Sequence, residues 1–273
     1  MKQMLRLLIA LLMCACLSVP VLALELGSDI TIYDKNSTTE TGWYSAQEDD
    51  EVEPGMAASQ AWDLEGFFLD QNSLSMVGGF NFQAGVGGYT SGDIFISVED
   101  EPVYGDIHLA GNDVVWSNDN GNAVVSNTYG YGYVLDLDFE KNTYTVYGID
   151  EKTTLLKAFY QLNEGSSPWR YDATINDETP YTSGDFSFFT SPLVSDLSDA
   201  ATGFNGGSRY ALTGFDLSFL GHGTEFYAHF TMGCGNDNLM GQGTVVPEPS
   251  TFLLFGAGGG LLWLARRKTA RKN

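Results

Sequence analysis

Two-residue alternation of apolar and polar side chains recurs along this chain and constrains its fold more than any other feature. Residues 93–98, "DIFISV", carry Ile94, Ile96 and Val98 on one face and Asp93, Phe95 and Ser97 on the other. Residues 133–140, "YVLDLDFE", set Leu135, Leu137 and Phe139 against Asp136, Asp138 and Glu140. "TYTVYGI" (143–149) follows after Lys141-Asn142, which reads as a two-residue hairpin turn. "LTGFDLSFL" (212–220) and "EFYAHFTM" (225–232) alternate in the same way, the latter with Phe226, Ala228, Phe230 and Met232 against Tyr227, His229 and Thr231. Side chains in a strand point to opposite faces in turn, so each pattern predicts an antiparallel strand with one packed and one wet face.

Helical signals are scarce. Residues 191–204 fit one short helix, with Ser191 or Asp196 near its start and Gly203 beyond its end. Residues 152–162 are ambiguous and lean to strand. The acidic run 48–55 and residues 163–182 and 199–208 read as loops. The expectation is an all-β fold, an antiparallel two-sheet β-sandwich of jelly-roll or laminin-G-like wiring. Cys14 and Cys16 fall near the N-terminus, leaving Cys234 as the one cysteine of the body, so packing rather than an internal disulfide must hold it.

Both ends of the chain carry membrane-type signals. Lys2 and Arg6 supply a positive n-region, residues 4–13 are almost wholly apolar, and Val21-Leu22-Ala23 supplies a small-residue cleavage site. This is the layout of a secretory signal peptide cut after Ala23. A lipoprotein signal modified at Cys16, behind Ala15, is the rival reading. At the other end Pro247, Glu248 and Pro249 precede the 15-residue apolar stretch 251–265 and then Arg266, Arg267 and Lys268. As a helix that stretch spans about 22 Å, short of a ~30 Å hydrocarbon core. Gly256, Gly258, Gly259 and Gly260 weaken it further. The cations set its orientation by staying on the cytoplasmic side. A short, glycine-rich span behind a rigid triplet makes a poor lasting anchor and a good substrate, because each proline keeps the preceding residue out of the helix. The rival reading is a tail that simply remains as an anchor.

The stretch "VPEPSTFLLFGAGGGLLWLARRK" resembles the PEP-CTERM sorting signal of exported proteins of Gram-negative bacteria. The resemblance implies recognition of Pro247, Glu248 and Pro249 by an exosortase, processing near the triplet, and release to the cell surface or extracellular matrix. Residues 62–85, 91–96, 127–139 and 229–241 look like segments shared among exported PEP-CTERM proteins of unassigned role. The expected organisation is therefore a signal peptide (1–23), an exported β-sandwich domain (24–243), a linker holding the triplet (244–250), a single transmembrane helix (251–265) and a cytoplasmic basic tail (266–273). Signal peptidase, the export machinery and the exosortase are the implied partners. The implied route runs through an inner-membrane intermediate.

Charge narrows the remaining function classes. The chain has a formal net charge of −22, but the exported region 24–246 holds 34 of the 35 acids and only six of the 13 cations. Such an excess excludes nucleic acid and anionic membrane surfaces as natural partners. It suits a soluble component of a hydrated exopolysaccharide matrix, as in a biofilm.

No motif for nucleophilic catalysis or phosphate binding appears, so no enzymatic activity is expected. The candidate ligands are calcium and carbohydrate. Asp136 and Asp138 (with Glu140) form a row of carboxylates roughly 7 Å apart on one strand face. Asp93, Glu99, Asp100 and Glu101 flank the neighbouring strand, and the two groups are candidate Ca²⁺ ligands without the spacing of an EF-hand loop. A solvated strand face is the plainer reading of both. Trp43, Trp62, Trp116 and Trp169 are candidate sugar-stacking rings, each read more simply as core. The set His222, His229 and Cys234 matches no familiar zinc spacing.

Overall fold

The computed structural model describes residues 24, 26–32, 60–98, 100–102, 123–159, 167–190, 197–198, 202, 209–235 and 237–246. These form fourteen strands, all paired antiparallel. They are β1 (Ser28–Asp29), β2 (Leu64–Asp70), β3 (Ser73–Gly78), β4 (Ile94–Ser97), β5 (Val124–Ser126), β6 (Tyr133–Asp138) and β7 (Thr143–Gly148). The second half adds β8 (Thr154–Leu156), β9 (Arg170–Tyr171), β10 (Pro180–Asp185), β11 (Ser187–Thr190), β12 (Tyr210–Asp216), β13 (Glu225–Thr231) and β14 (Asn238–Thr244).

Two large sheets face each other. One has the order β1-β2-β3-β12-β11 and the other β10-β7-β6-β4-β13-β14. Their inner faces interleave Phe67, Leu74, Met76, Leu212 and Phe215 with Ile94, Ile96, Leu135, Val146, Phe226 and Phe230, all buried. Ile94, Ile96, Leu135, Phe215, Phe226 and Phe230 are apolar positions of the alternating patterns. Each such side chain contributes about 1.5–3 kcal/mol when removed from water. Beyond β1 the chain joins both sheets: the Ile30 N–H donates to the Phe67 carbonyl (2.9 Å) and the Gln242 N–H to the Ile30 carbonyl (2.9 Å). This closes one side of the sandwich and shields the edge of β14.

A third, small sheet departs from expectation. Strands β5-β8-β9 lie over the outer face of the six-stranded sheet and form a second apolar layer with Phe95, Tyr129, Tyr131, Val134, Ile149, Leu155 and Tyr171. The wet face expected of β4 and β13 is therefore dry, with Phe95, His229 and Thr231 all fully buried. The reason is that short segments with little alternation of their own, 154–156 and 170–171, find partners on a sheet already formed. Residues 180–182, expected as loop, begin the edge strand β10, which pairs with β7.

The hairpin between β6 and β7 also differs. Asp138 pairs with Thr143, so four residues rather than two make the turn. The Asp138 carboxylate accepts the N–H groups of Glu140 and Lys141, both at 3.0 Å, and is ion-paired to the Lys141 ammonium. Asn142 completes the reversal at φ +55°, a conformation asparagine tolerates better than most residues. The expected strand 212–220 starts earlier and ends at Asp216; residues Ser218–Leu220 form a 3₁₀ turn. Most of the expected helix 191–204 lies outside the described residues, as does the acidic run 48–55. Among the described residues no helix is long and apolar enough to cross a membrane.

Candidate binding cleft and sorting tail

A cleft of about 780 Å³ opens at one end of the six-stranded sheet. Its walls come from five separate segments. The end of β4 gives Ser97, then Asp100 and Glu101; the β5–β6 connection gives Tyr129 and the start of β6 Tyr133; Asp150 follows β7; Glu178 precedes β10; and Tyr181 lies on β10. Gly130, Gly132 and Gly148 line it too, and a Cβ on any of them would meet open space. Gly130 has φ +90°, so the alternating Tyr-Gly run 129–133 turns there at little cost.

Polar contacts fix several of these walls. The Ser97 hydroxyl donates to the Asp100 carbonyl at 2.7 Å and bends the chain after β4. The Glu178 carboxylate accepts the Thr153 hydroxyl at 2.6 Å and the Tyr171 hydroxyl at 3.0 Å. Burial pushes the Tyr129 phenol up to about 12, so it stays a hydrogen-bond donor at any physiological pH. Tyr133, Tyr181 and Phe219 form an edge-to-face trio, with centroids 5.3 to 6.0 Å apart. Tyr181 is nonetheless 60% exposed. Beyond it lies a second depression of about 450 Å³, bounded by Tyr144, Thr182, Ser183, Asp216, Ser218 and Phe219. Tyr181 is thus a ridge between two hollows. No Lys, Arg or His lines either of them among the described residues. Such walls repel anions and offer carboxylate acceptors and flat rings to a hydroxyl-rich ligand.

The five described candidate calcium ligands fall in two separate places. Asp100 and Glu101 belong to the cleft, and Glu99 lies outside the described residues. Asp93 is at the other end of β4, about 13 Å away along a four-residue strand. Both of its oxygens are occupied: Oδ1 accepts the Leu137 N–H at 2.9 Å and Oδ2 the Tyr171 N–H at 2.8 Å. Asp93 therefore stitches the third sheet to the six-stranded one. Burial, with repulsion from Asp136, pushes its carboxyl up to about 8 against the pull of those N–H groups and of Arg170. Asp136 is raised as well, by desolvation first, with Arg170 opposing and Asp172 and Asp138 reinforcing. Asp138 is held low by its bonds to Lys141. Among the described residues no group of three or more His, Cys, Asp or Glu side chains is placed to hold a metal ion.

Of the other candidates, Trp169, His229 and Cys234 are buried, Trp62 is half-buried and His222 is exposed. Trp169 is buried, and Trp62 packs edge-on to Tyr89. His229 stacks on Tyr131 at 5.6 Å, far from solvent, and Cys234 is buried in the main core. Trp43 and Trp116 lie outside the described residues. Sequence reasoning missed Tyr129, Tyr133, Asp150, Glu178 and Tyr181. Only the Tyr-Gly alternation of 129–133 offered a signal.

The C-terminal exit of the domain sits at the same end of the sheet as the cleft. Val245 is fully buried; its N–H donates to the Thr224 carbonyl (3.0 Å) and its own carbonyl accepts the Gly223 N–H (2.8 Å). The Val246 N–H donates to the Gln71 carbonyl at 3.1 Å. Comparison with known families identifies the stretch that leaves the domain here. Residues 245–268 are a PEP-CTERM protein-sorting motif. The motif implies an exported protein, processed by an exosortase and sorted to the cell surface of a bacterium. Pro247, Glu248 and Pro249 and the cations Arg266, Arg267 and Lys268 lie within the PEP-CTERM stretch and outside the described residues. The motif's first two residues belong to the fold. No curated protein and no solved structure matches the chain.

Proposed function

We propose that this protein is a non-catalytic component of the cell surface or extracellular matrix, and that its tyrosine-rimmed cleft binds the matrix exopolysaccharide. The observation that carries this reading is Tyr181, a residue left 60% exposed between two neighbouring hollows that it lines in common. A pyranose presents an apolar face to such a ring and hydroxyls to the carboxylates beside it. The four carboxylates of the larger hollow accept hydroxyl protons, and the phenol of Tyr129 donates one in return. A neutral glycan suits this lining; a polyanionic one would be repelled. Export by the sorting motif would deliver the cleft to the compartment where such polymers lie.

The test is calorimetry of residues 24–246 with purified exopolysaccharide of the producing bacterium, alongside Tyr181→Ala. Ring removal is expected to leave the melting temperature unchanged and to weaken binding roughly tenfold. Absence of heat with every neutral glycan tried, or equal binding by the variant, would remove the proposal. Release of new reducing ends during the titration would instead make the protein a hydrolase.

A further inference from the structure

The junction between domain and sorting tail contains no spacer, and this constrains what the domain touches during sorting. The motif begins at Val245, yet Val245 and Val246 are locked into the sandwich by three backbone hydrogen bonds. Two further residues of fully extended chain reach about 7 Å at most, so Glu248 cannot lie farther than that from Val246. An enzyme that reads the triplet must approach within that distance of the folded pole from which it emerges.

That pole is a single, cross-tied surface. The Leu217 N–H donates to the Asn72 carbonyl at 2.8 Å, and the Asn72 amide donates to the Asp216 carboxylate at 2.7 Å. Residues 70–72, 217–224 and 245–246 therefore move together. Gly221 and Gly223 stand at φ +85° and +80°, with His222 exposed between them beside the exit. It carries the acids Asp70, Asp216 and Glu225, and no Lys or Arg occurs in residues 70–73 or 216–225. Anionic lipid headgroups would repel such a face.

We propose that this pole is a docking face for the membrane-embedded processing enzyme, received by a cationic rim around the enzyme's mouth. The inference rests on the sorting motif being processed, and goes beyond it in making the folded domain part of what is recognised. Asp216 is left alone in the test because it holds Asn72. Asp70→Lys and Glu225→Lys are combined in the full chain, produced in a host with its exosortase, and release is followed by pulse-chase and by mass spectrometry of the mature C-terminus. A second pair of chains carries a 12-residue Gly-Ser spacer between Val246 and Pro247.

Charge reversal is expected to slow release several-fold in the chain without a spacer, and to have no effect in the chain with one. Unchanged or faster release without the spacer would overturn the proposal, the faster case pointing to contact with anionic lipid instead. Equal slowing with and without the spacer would overturn it too, since the charges would then act on export or folding. If neither parent chain is processed at all, the sorting reading itself fails, and that outcome is distinct from the others.

Discussion

Replacing Asp93 by asparagine should remove the pH dependence of stability that the buried carboxylate imposes. Asp93 is buried beside Asp136, with the Arg170 charge pulling its carboxyl down and two N–H groups on its oxygens. Its carboxyl stands at about 8 in the fold against an ordinary value of 3.8. A raised carboxyl keeps its proton in the folded state after the unfolded chain has lost it. Its contribution is thus fully present below about pH 4 and is lost as pH rises toward 8, at about 1.4 kcal/mol per pH unit. Taken to completion the loss is on the order of 5 kcal/mol, shared with Asp136 because the two titrate together. That is comparable with the whole stability of many domains. General repulsion among the 34 acids also grows with pH, but ordinary carboxylates have finished ionising by about pH 6, which leaves pH 6–9 to the buried pair. In Asp93→Asn one N–H, of Leu137 or Tyr171, faces an amide NH₂ and loses its acceptor, at about 1–3 kcal/mol whatever the pH. Urea unfolding at pH 5, 7 and 9 should show the variant less stable at pH 5 and more stable at pH 9. Parallel curves for variant and parent would refute the reasoning.

Three further outcomes come from the structure. Arg209 and Glu65 form an ion pair with no exposure on either side, so Arg209→Met alone should cost about 3–5 kcal/mol in urea unfolding, and adding Glu65→Leu should recover most of it. A Cβ on Gly92 would lie 2.0 Å from the Trp169 carbonyl oxygen and 2.5 Å from that of Thr231, so Gly92→Ala should push the third sheet off its support and lower stability by more than about 2 kcal/mol, read as a fall in melting temperature. Alanines at Pro247, Glu248 and Pro249 should leave the chain full-length and membrane-bound, whereas wild-type-like release on an immunoblot would show that the triplet is not what is read.

The sandwich was legible because its strands are long enough to alternate. In β4, β6, β7 and β13 the apolar positions found by period alone are those that fill the space between the two sheets. The third sheet was legible only in part, where residues 152–162 lean to strand and hold β8. Strands β8 and β9 are three and two residues long, too short for any period to declare itself, and they exist because Phe95 and Val134 offer them an apolar surface. The same surface explains why polar-looking faces are dry: His229 and Asp93 lie on the outer face of a sheet that has been covered. Nothing in the strands' own patterns distinguishes jelly-roll from laminin-G-like wiring, since period-2 burial is common to both.

The tail and the cleft stand at opposite ends of legibility for one physical reason. A sorting signal is read as a linear segment, so its triplet, apolar run and cations must be adjacent in sequence, and they are. A binding cleft is read in three dimensions. Tyr129 and Tyr133 are separated by 48 or more residues from Tyr181, and Asp100 by 50 from Asp150, and each sits where a strand ends. Register brings them together: Ile96 pairs with Tyr133, Tyr133 with Gly148, and Tyr147 with Pro180, so four strand ends meet in one row. The tail exits at that same end of the sheet, because Tyr227 pairs with both Ser97 and Gln242. The cleft and the proposed docking face therefore lie at the end of the domain from which the sorting tail leaves.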